Sequence, residues 1–377
     1  MNLVSFLRKA IVRLENKNEN DFKLPVAVQK KYLEHFKDPT DDFERSYFQY
    51  RCQMRFYNAL LRFIINCASL PLLLYYRFRH RDSVPTDNKE AIFFADGKPD
   101  SIIPDELREK FGEIQTINEK KESLTKDDRI FFIALLKKYP LSWHFLLKCL
   151  IKIRFYSYAI QKSNPKCIIV CNEYSFTSSV MTKYCENKEI THFNVMHGEK
   201  YYYIRDSFFR FHNCYVWDEY YKDLFISLRT EPKQFIIAIP PFIRIESANW
   251  NKTIDYTYYL GNETGETLRK IIGVLINLKK KGSSVALRPH PRYSNMDEVR
   301  DLAEEIEIED GEEISIEESI CRTSNAISLC STVLYQAFNA GVGIVIDDFS
   351  NPTKFKNLED LGYIMLKKEH KLLSQSN

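Results

Sequence analysis

The sequence lacks the cysteine patterns that are typical of metal sites and disulfide frameworks. Its nine cysteines are an odd number and are scattered through apolar segments. Cys167 and Cys171 share one predicted strand, where four residues span about 13 Å, so they are too far apart to bridge each other or to bind one metal ion. We therefore predict nine reduced core thiols in a cytoplasmic protein, without a metal or another cofactor.

The sequence also lacks a signal peptide and a long uninterrupted hydrophobic run. The opening residues, MNLVSFLRKAIVRL, contain no long apolar stretch before a cleavage site. The most apolar window, residues 59–76, contains Arg62, Asn66 and Pro71, whereas a spanning helix needs about 20 mostly apolar residues. Two interpretations stay open for this arginine-flanked window: a helix on the inner membrane surface, or a helix buried against the first domain. The flanking arginines are Arg51, Arg55, Arg77, Arg79 and Arg81.

An excess of charge of one sign is missing as well. The chain carries 54 basic and 51 acidic residues, a net charge of +3, which gives no general case for a nucleic-acid partner. No internal repeat or low-complexity tract is visible. What is present is 377 residues with 44% hydrophobic and 14% aromatic content, enough for two domains of about 150–200 residues.

The pattern of apolar segments predicts an α/β fold. Residues 1–85 are typical of a helical N-terminal segment. Short apolar runs then alternate with longer amphipathic stretches, first in residues 86–245 and again in residues 246–377, with Pro240-Pro241 as the strongest punctuation. Such alternation predicts two Rossmann-like domains with parallel sheets, facing a cleft. The predicted strands are residues 91–95, 167–171, 192–196, 214–217 and 235–239, and then 256–260, 285–288, 326–329 and 343–347.

Ligands of such sheets bind at the carboxyl ends of the strands, so the loops there carry the candidate residues. The loop after the strand at 285–288 contains Arg288, His290 and Arg292, with Pro291 fixing an extended path between the last two. Arginine suits bidentate contact with phosphate, and histidine donates to a phosphate oxygen. This composition favours a phosphate site, and the alternative is a proline-stiffened surface loop.

A second anion seat is predicted where the strand at 326–329 leads into a helix. Ser331 and Thr332 stand at this helix start, where free N–H groups and hydroxyls suit an anion. The plainer interpretation is simple capping of the helix by Ser331. Upstream, Ser315 is expected to cap a short helix on which the carboxylate of Glu317 could accept hydrogen bonds from ribose hydroxyls.

Three residues at strand ends of the first domain are candidates for a general base. His197 stands in His197-Gly198-Glu199, where the glycine is expected to permit a sharp turn and close approach of a ligand. A histidine with a reference pKa of about 6.5 is a natural base for an acceptor hydroxyl. Glu173 and Asp96, each at another strand end, are the rivals, and a histidine bonded within its own turn is the alternative.

These motifs resemble those of bacterial GT-B transferases that use cytidine-activated donors. The group includes sialyltransferases, Kdo transferases of capsule synthesis and teichoic-acid glycerophosphotransferases. The resemblance covers residues 165–345: His290-Pro291 matches the histidine-proline motif, Ser331-Thr332 the hydroxyl motif, and His197-Gly198 the histidine-glycine pair of the glycerophosphotransferases. The acidic-acidic-glycine motif of sialyltransferases has only the partial counterpart Asp96-Gly97, because Glu309-Asp310-Gly311 follows the histidine-proline motif instead of preceding it.

The resemblance implies that the two matched motifs contact the donor phosphate and that His197 is the base. It also implies an inverting transfer of an acidic, sialic-acid- or Kdo-like sugar from a CMP donor to an oligosaccharide or lipid-linked surface glycan. We found no Asp-x-Asp in a strand-end loop, which agrees with a metal-independent reaction. The alternatives are a CDP-glycerol or CDP-ribitol phosphotransferase, a non-catalytic sugar-nucleotide-binding subunit, and a nucleotide-sugar epimerase.

Overall fold

The chain forms two compact units that divide between Ile239 and Pro240, with the short segment Gly198–Tyr201 grouped with the second unit. The computed structural model describes residues 24–79, 84, 86–118, 121–245 and 250–375. The division lies a few residues before the predicted boundary at 245–246. The basic residues 1–13, Arg81 and Pro85, which entered the sequence argument, lie outside the described residues.

In the described part of the chain, three helices precede the first strand: α1 (Val26–Glu34), α2 (Asp42–Met54) and α3 (Ala59–Phe78). α2 and α3 begin after Asp41 and Asn58, whose side-chain oxygens each accept a backbone N–H at 2.8 Å. The helices belong to the first unit and do not form a separate domain, since the Gln49 side chain of α2 donates to the carbonyl of Glu173 at 2.9 Å. This segment therefore helps to position a strand-end loop.

The first unit is built on a parallel six-stranded sheet. Its strands are β1 (Ala91–Phe94), β2 (Ile114–Ile117), β3 (Cys167–Val170), β4 (Thr191–Val195), β5 (Asn213–Val216) and β6 (Phe235–Ile237), in the order β2-β1-β3-β4-β5-β6. The connecting helices are α4 (Asp105–Phe111), α5 (Lys126–Lys138), α6 (Trp143–Ser163), α7 (Ser178–Glu186) and α8 (Glu219–Ser227). The strand order reverses between β1 and β3, which marks the expected ligand-binding edge of this sheet.

The second unit has the same architecture with a different strand order. Its strands are β7 (Ile254–Tyr259), β8 (Val285–Arg288), β9 (Glu307–Ile308), β10 (Thr323–Ser328), β11 (Gly343–Ile346) and β12 (Lys371–Leu372), in the parallel order β12-β11-β10-β7-β8-β9. The helices are α9 (Gly265–Lys280), α10 (Met296–Leu302), α11 (Ile316–Arg322), α12 (Thr332–Asn339) and α13 (Pro352–Asp360). Here the order reverses between β7 and β10.

The cores follow from the apolar periodicity of these elements. In the second unit, α9 buries Leu268, Ile271 and Leu275 in one cluster with Tyr258 and Leu287 of the adjacent strands β7 and β8. The buried positions of α9 recur every three or four residues, which places them on one helix face. Burial of this face fixes the strand ends that precede the candidate loops.

The predicted fold class is confirmed: two Rossmann-like α/β units with additional N-terminal helices. The sequence analysis missed two strands, the half-buried edge strand β2 and the two-residue strand β12. Between β2 and β3 the chain forms two helices, α5 and α6, because Pro140 cannot continue α5. Thr264 occupies the cap position of α9, although its side chain makes no capping hydrogen bond.

All nine cysteines are free, and seven of them are buried. Burial raises the pKa of Cys52 and of Cys167 to about 12, so these thiols stay protonated and inert at neutral pH. The prediction of unpaired core thiols is thus confirmed for most of the cysteines, while the cytoplasmic location stays a prediction.

Candidate functional site

Two neighbouring strand ends of the first unit bring together a histidine and a buried carboxylate. Glu173 follows β3 and its side chain is 0% exposed, whereas His197 follows β4 and its side chain is 23% exposed. The Nδ1 atom of His197 lies 3.3 Å from Oε1 of Glu173. β3 and β4 are adjacent parallel strands, so their carboxyl ends meet at one edge of the sheet. The two residues predicted as rival bases are therefore one pair.

The carboxylate of this His197–Glu173 pair is held from a second side. Asn194 Nδ2 donates to Glu173 Oε2 at 3.1 Å, and Asn194 Oδ1 accepts from the backbone N–H of Asn172 at 2.7 Å. A fixed carboxylate beside Nδ1 favours the tautomer that carries its proton there, which leaves Nε2 of His197 to accept a proton. A base oriented by a third group in this way is the arrangement found in activated catalytic sites.

The surroundings of the pair include a tyrosine and the third candidate, Asp96. The Tyr174 ring meets the His197 ring edge to face, with centroids 6.0 Å apart. Burial raises the pKa of Tyr174 to about 12, and the negative charges of Glu173 and Asp96 add to this effect. Asp96 is exposed, its charge acts on Tyr174, and its φ of 49° is a left-handed conformation that aspartate tolerates.

The chain bends at Gly198, as the sequence suggested. The bend does not require glycine, however, because the φ of Gly198 is not positive and an added Cβ would meet no heavy atom within 4 Å. Open space beside Gly198 remains compatible with the other expectation for this glycine, the close approach of a ligand.

In the second unit, the contact with phosphate that was predicted for Arg288 is not supported, because this side chain is already paired inside the protein. It is the last residue of β8 and is buried, with Nη1 3.2 Å from Oε2 of Glu309 and Nη2 donating to the carbonyl of Ile314 at 2.8 Å. Oε1 of the same buried Glu309 lies 3.3 Å from Nε of Arg322. Because its guanidinium is engaged with a buried carboxylate, Arg288 anchors the loop and is not directed at a ligand.

His290 and Arg292 form the part of that loop which can meet an anion. The backbone N–H of Arg292 donates to Nδ1 of His290 at 3.0 Å, so the neutral ring carries its proton on Nε2. Burial, and next the charge of Arg292, lower the pKa of His290 below 6.5, which favours this neutral, donating form. Pro291 and Arg292 are exposed, and Ser294 ties the turn to the β7 loop by donating to the carbonyl of Gly261 at 3.0 Å.

The start of α12 follows β10, and it therefore lies at the same edge of the second sheet as the His290 turn, which follows β8. Ser331 accepts the backbone N–H of Val333 at 3.2 Å and caps the helix, as the plainer interpretation expected, and Thr332 is the first helical residue and half-buried. The amides of Val333 and Leu334 both donate to Ser331 itself, so an anion at this helix start would meet the amide and hydroxyl of Thr332 and the positive end of the helix dipole. β8 and β10 flank β7, so the His290 turn and the Ser331 helix start lie about two strand spacings, or about 10 Å, apart.

A tyrosine–cysteine contact beside this helix start was not predicted. The hydroxyl of Tyr201 lies 2.6 Å from Sγ of Cys330, the residue before Ser331. Burial raises the pKa of Cys330 to about 11, so its thiol stays protonated at neutral pH and is not a nucleophile. The contact therefore fixes the segment that leads into α12.

Glu317, predicted to bind ribose, is exposed in the first turn of α11. The predicted cap of that helix is confirmed, since Ser315 Oγ accepts the N–H of Glu318 at 3.0 Å. The role of Glu317 stays a prediction. Within the described ranges, no three His, Cys, Asp or Glu side chains cluster as metal ligands would.

Three residues of these clusters escaped the sequence analysis. Asn194 is a polar residue between the apolar Phe193 and Val195, a signal that could have marked it as a partner of a strand-end group. Glu309 follows a short strand in an acidic run, where only its burial distinguishes it from its solvated neighbours. Gln49 lies on a helix distant in sequence, and no motif points to it.

No model of a known protein family matches the chain, and no curated protein is similar to it in sequence. Among solved structures, the wall teichoic acid polymerase TagF is 10% identical with a TM-score of 0.45, covering 86% of this chain and 85% of that chain. The lipopolysaccharide outer core galactosyltransferase WaaB in its apo form is 11% identical with a TM-score of 0.40, covering 70% and 81%. MnaA of S. aureus with UDP is 9% identical with a TM-score of 0.41, covering 69% and 79%. The function of this chain therefore has to be argued from its own residues.

Proposed function

We propose that the chain is a metal-independent glycosyltransferase that uses a cytidine-activated donor. The observation that carries the proposal is the His197–Glu173 pair, in which a half-buried histidine is oriented by a fully buried carboxylate at a strand end. A second Rossmann-like unit adds a neutral histidine donor and a helix start beside its strand-order reversal. The first unit would supply the base, and the second unit would bind the donor phosphate.

In the proposed step, Nε2 of His197 accepts the proton of an acceptor hydroxyl while the hydroxyl oxygen forms a bond to the anomeric carbon of the donor. The bond between that carbon and the phosphate oxygen breaks with its electron pair, so CMP leaves as an anion and the configuration inverts. The Nε2–H of His290 and the helix start at Thr332 would stabilise the charge that develops on the phosphate, and exposed Arg292 would attract it.

The proposed donor is the CMP derivative of a sialic-acid- or Kdo-like sugar, and the proposed acceptor is a hydroxyl of a surface glycan such as capsule, O-antigen or lipooligosaccharide. The support is the motif set at His197-Gly198, His290-Pro291 and Ser331-Thr332. Transfer of glycerol phosphate or ribitol phosphate from a CDP donor would use the same residues, and it too would release CMP. A non-catalytic subunit would bind the nucleotide without turning it over.

A donor panel tests the proposal. The purified chain is incubated with CMP-sialic acid, CMP-Kdo, CDP-glycerol and UDP-N-acetylglucosamine, with and without EDTA, while nucleotide release and Tm are measured. We expect CMP release from a CMP-sugar, an unchanged rate in EDTA, and a Tm increase with CMP, because a ligand that binds only the folded state stabilises it.

Each other outcome selects another function. Release of CMP from CDP-glycerol alone, with a new phosphodiester signal in the ³¹P NMR spectrum, would identify the phosphotransferase. A Tm shift without turnover of any donor would identify the binding subunit. Turnover of the UDP-sugar alone, or loss of all activity in EDTA that magnesium or manganese restores, would refute the proposal.

A further inference from the structure

Helix α3 (Ala59–Phe78) presents large apolar residues on two opposite faces. Its inner face buries Ile65, Leu72 and Tyr76, and Asn66 ties the helix to the start of α6 through bonds to the carbonyl of Leu141 at 2.9 Å and the N–H of His144 at 3.1 Å. The large apolar residues that stay exposed are Leu60, Phe63, Ile64, Leu74, Tyr75 and Phe78. Their spacing places all six on one face, opposite the buried one.

This outer face is extensive. Leu60, Phe63 and Phe78 are 69%, 66% and 74% exposed, and they lie near the two ends of a 20-residue helix that is about 30 Å long. Single exposed apolar residues are normal on a protein surface, but a continuous row along one helix face is not. The face therefore needs an apolar environment to cover it.

The charges around the face indicate which environment that is. Residues 51–79 contain five arginines and no aspartate or glutamate. Arg51, Arg55, Arg62 and Arg79 are exposed, and of these Arg79 also lies 3.5 Å from Glu122. An apolar helix face with aromatic side chains, in a stretch whose only charged side chains are cationic, is complementary to the interface of an anionic bilayer.

The helix is placed to lie on a bilayer rather than to cross it. Its length and mean hydropathy of 1.5 would allow it to span, and only 28% of its most apolar window is buried. However, its inner face is packed in the first unit, and Asn66 is hydrogen-bonded there. Spanning would strip this face from its protein partners and would bring Arg62 into lipid.

We propose that the outer face of α3 docks the first unit on an anionic phospholipid surface, with the helix parallel to the membrane. Phe63, Leu74 and Phe78 enter the headgroup–acyl boundary, and the neighbouring arginines contact lipid phosphates. The docking requires neither the donor chemistry nor the base proposed above, so either can fail without the other. For residues 59–76 the sequence left open a helix on the membrane surface or a helix buried against the first domain, and the proposed docking favours the first.

The test is flotation of the full chain with vesicles of phosphatidylcholine, with or without phosphatidylglycerol. We expect flotation with the mixed vesicles, a marked loss with phosphatidylcholine alone, and release by high salt, since headgroup attraction is screened. The double variant Phe63→Ser/Phe78→Ser should bind at least about tenfold more weakly, because each buried phenylalanine contributes enough apolar area for such a change.

The matched control is Phe349→Ser, which removes an exposed phenylalanine of the second unit and should float like the wild type. Tm measurements verify that the variants fold, and the salt dependence of the wild type needs no variant. Failure of the wild type to float with mixed vesicles, or equal binding of wild type and double variant, would overturn the proposal. A lipid-free dimer that Phe63→Ser/Phe78→Ser converts to a monomer, together with no flotation, would assign the face to a second copy instead.

Discussion

Replacing Glu173 with glutamine tests the His197–Glu173 pair most directly. The substitution keeps the shape and the contact with Asn194 but removes the charge that lies 3.3 Å from Nδ1 of His197. A contact with a charged group contributes at most the about 1.5–3 kcal/mol of a charge-assisted hydrogen bond, and this separation exceeds the about 2.7–2.9 Å of a strong one. The lower half of that range converts to a loss of about 10- to 50-fold in kcat at about 1.4 kcal/mol per tenfold.

The assay is the rate of CMP release with the donor that the panel identifies, measured across pH. Without the carboxylate the imidazolium loses its stabilising partner, so we expect the acid limb of the Glu173→Gln profile to lie at lower pH than that of the wild type, with donor affinity unchanged. His197→Ala should cost at least about 100-fold. If Glu173 acts only through His197, the double variant will be no slower than His197→Ala alone. A fully additive loss, or a wild-type rate for Glu173→Gln, would refute the pair.

Three further predictions concern Arg288, His290 and His192. Arg288→Met should lower the free energy of unfolding by about 1–3 kcal/mol in urea titrations, because buried Glu309 loses one of its two arginine partners and keeps Arg322, whereas Arg292→Met should change stability little and weaken nucleotide binding. His290→Ala should lower turnover about 100- to 1000-fold with an unchanged Tm, and a rate within a few-fold of the wild type would remove it from the site. Burial, and next the charge of His212, lower the pKa of His192 to about 3. As the pH falls below about 6.5, the unfolded chain binds a proton at this histidine while the folded chain does not, so the free energy of unfolding decreases. The loss is about 2 kcal/mol between pH 7 and pH 5, and His192→Gln should remove that part of the pH dependence.

Most strand positions could be predicted from the sequence, because buried parallel strands leave short apolar runs between amphipathic stretches. β3 and β8 were predicted to within one residue for that reason. β2 was missed because it is a half-buried edge strand whose Gln115 and Thr116 break the apolar run. Local patterning shows an element only where burial is continuous.

The sequence also identified the strand ends that carry chemistry, but not the partners of each residue. The pairing of His197 with Glu173 depends on β3 and β4 being neighbours in the sheet, which the order of elements along the chain does not fix. Gln49 contributes from a helix more than a hundred residues away, so only the folded chain shows its contact.

Burial, rather than residue type, decides which charged side chains of these loops are able to meet a ligand. Arg288 and Arg292 belong to one loop, yet Arg288 is bound to a buried carboxylate while Arg292 is exposed beside the donating edge of His290. A guanidinium already paired inside the protein would have to break that pair to bind phosphate, and the buried carboxylate left behind would be costly. An exposed guanidinium gives up only its hydration. The proposed phosphate site of the second unit is therefore smaller than the sequence suggests: it would consist of His290, Arg292 and the start of α12, while Arg288 anchors the loop.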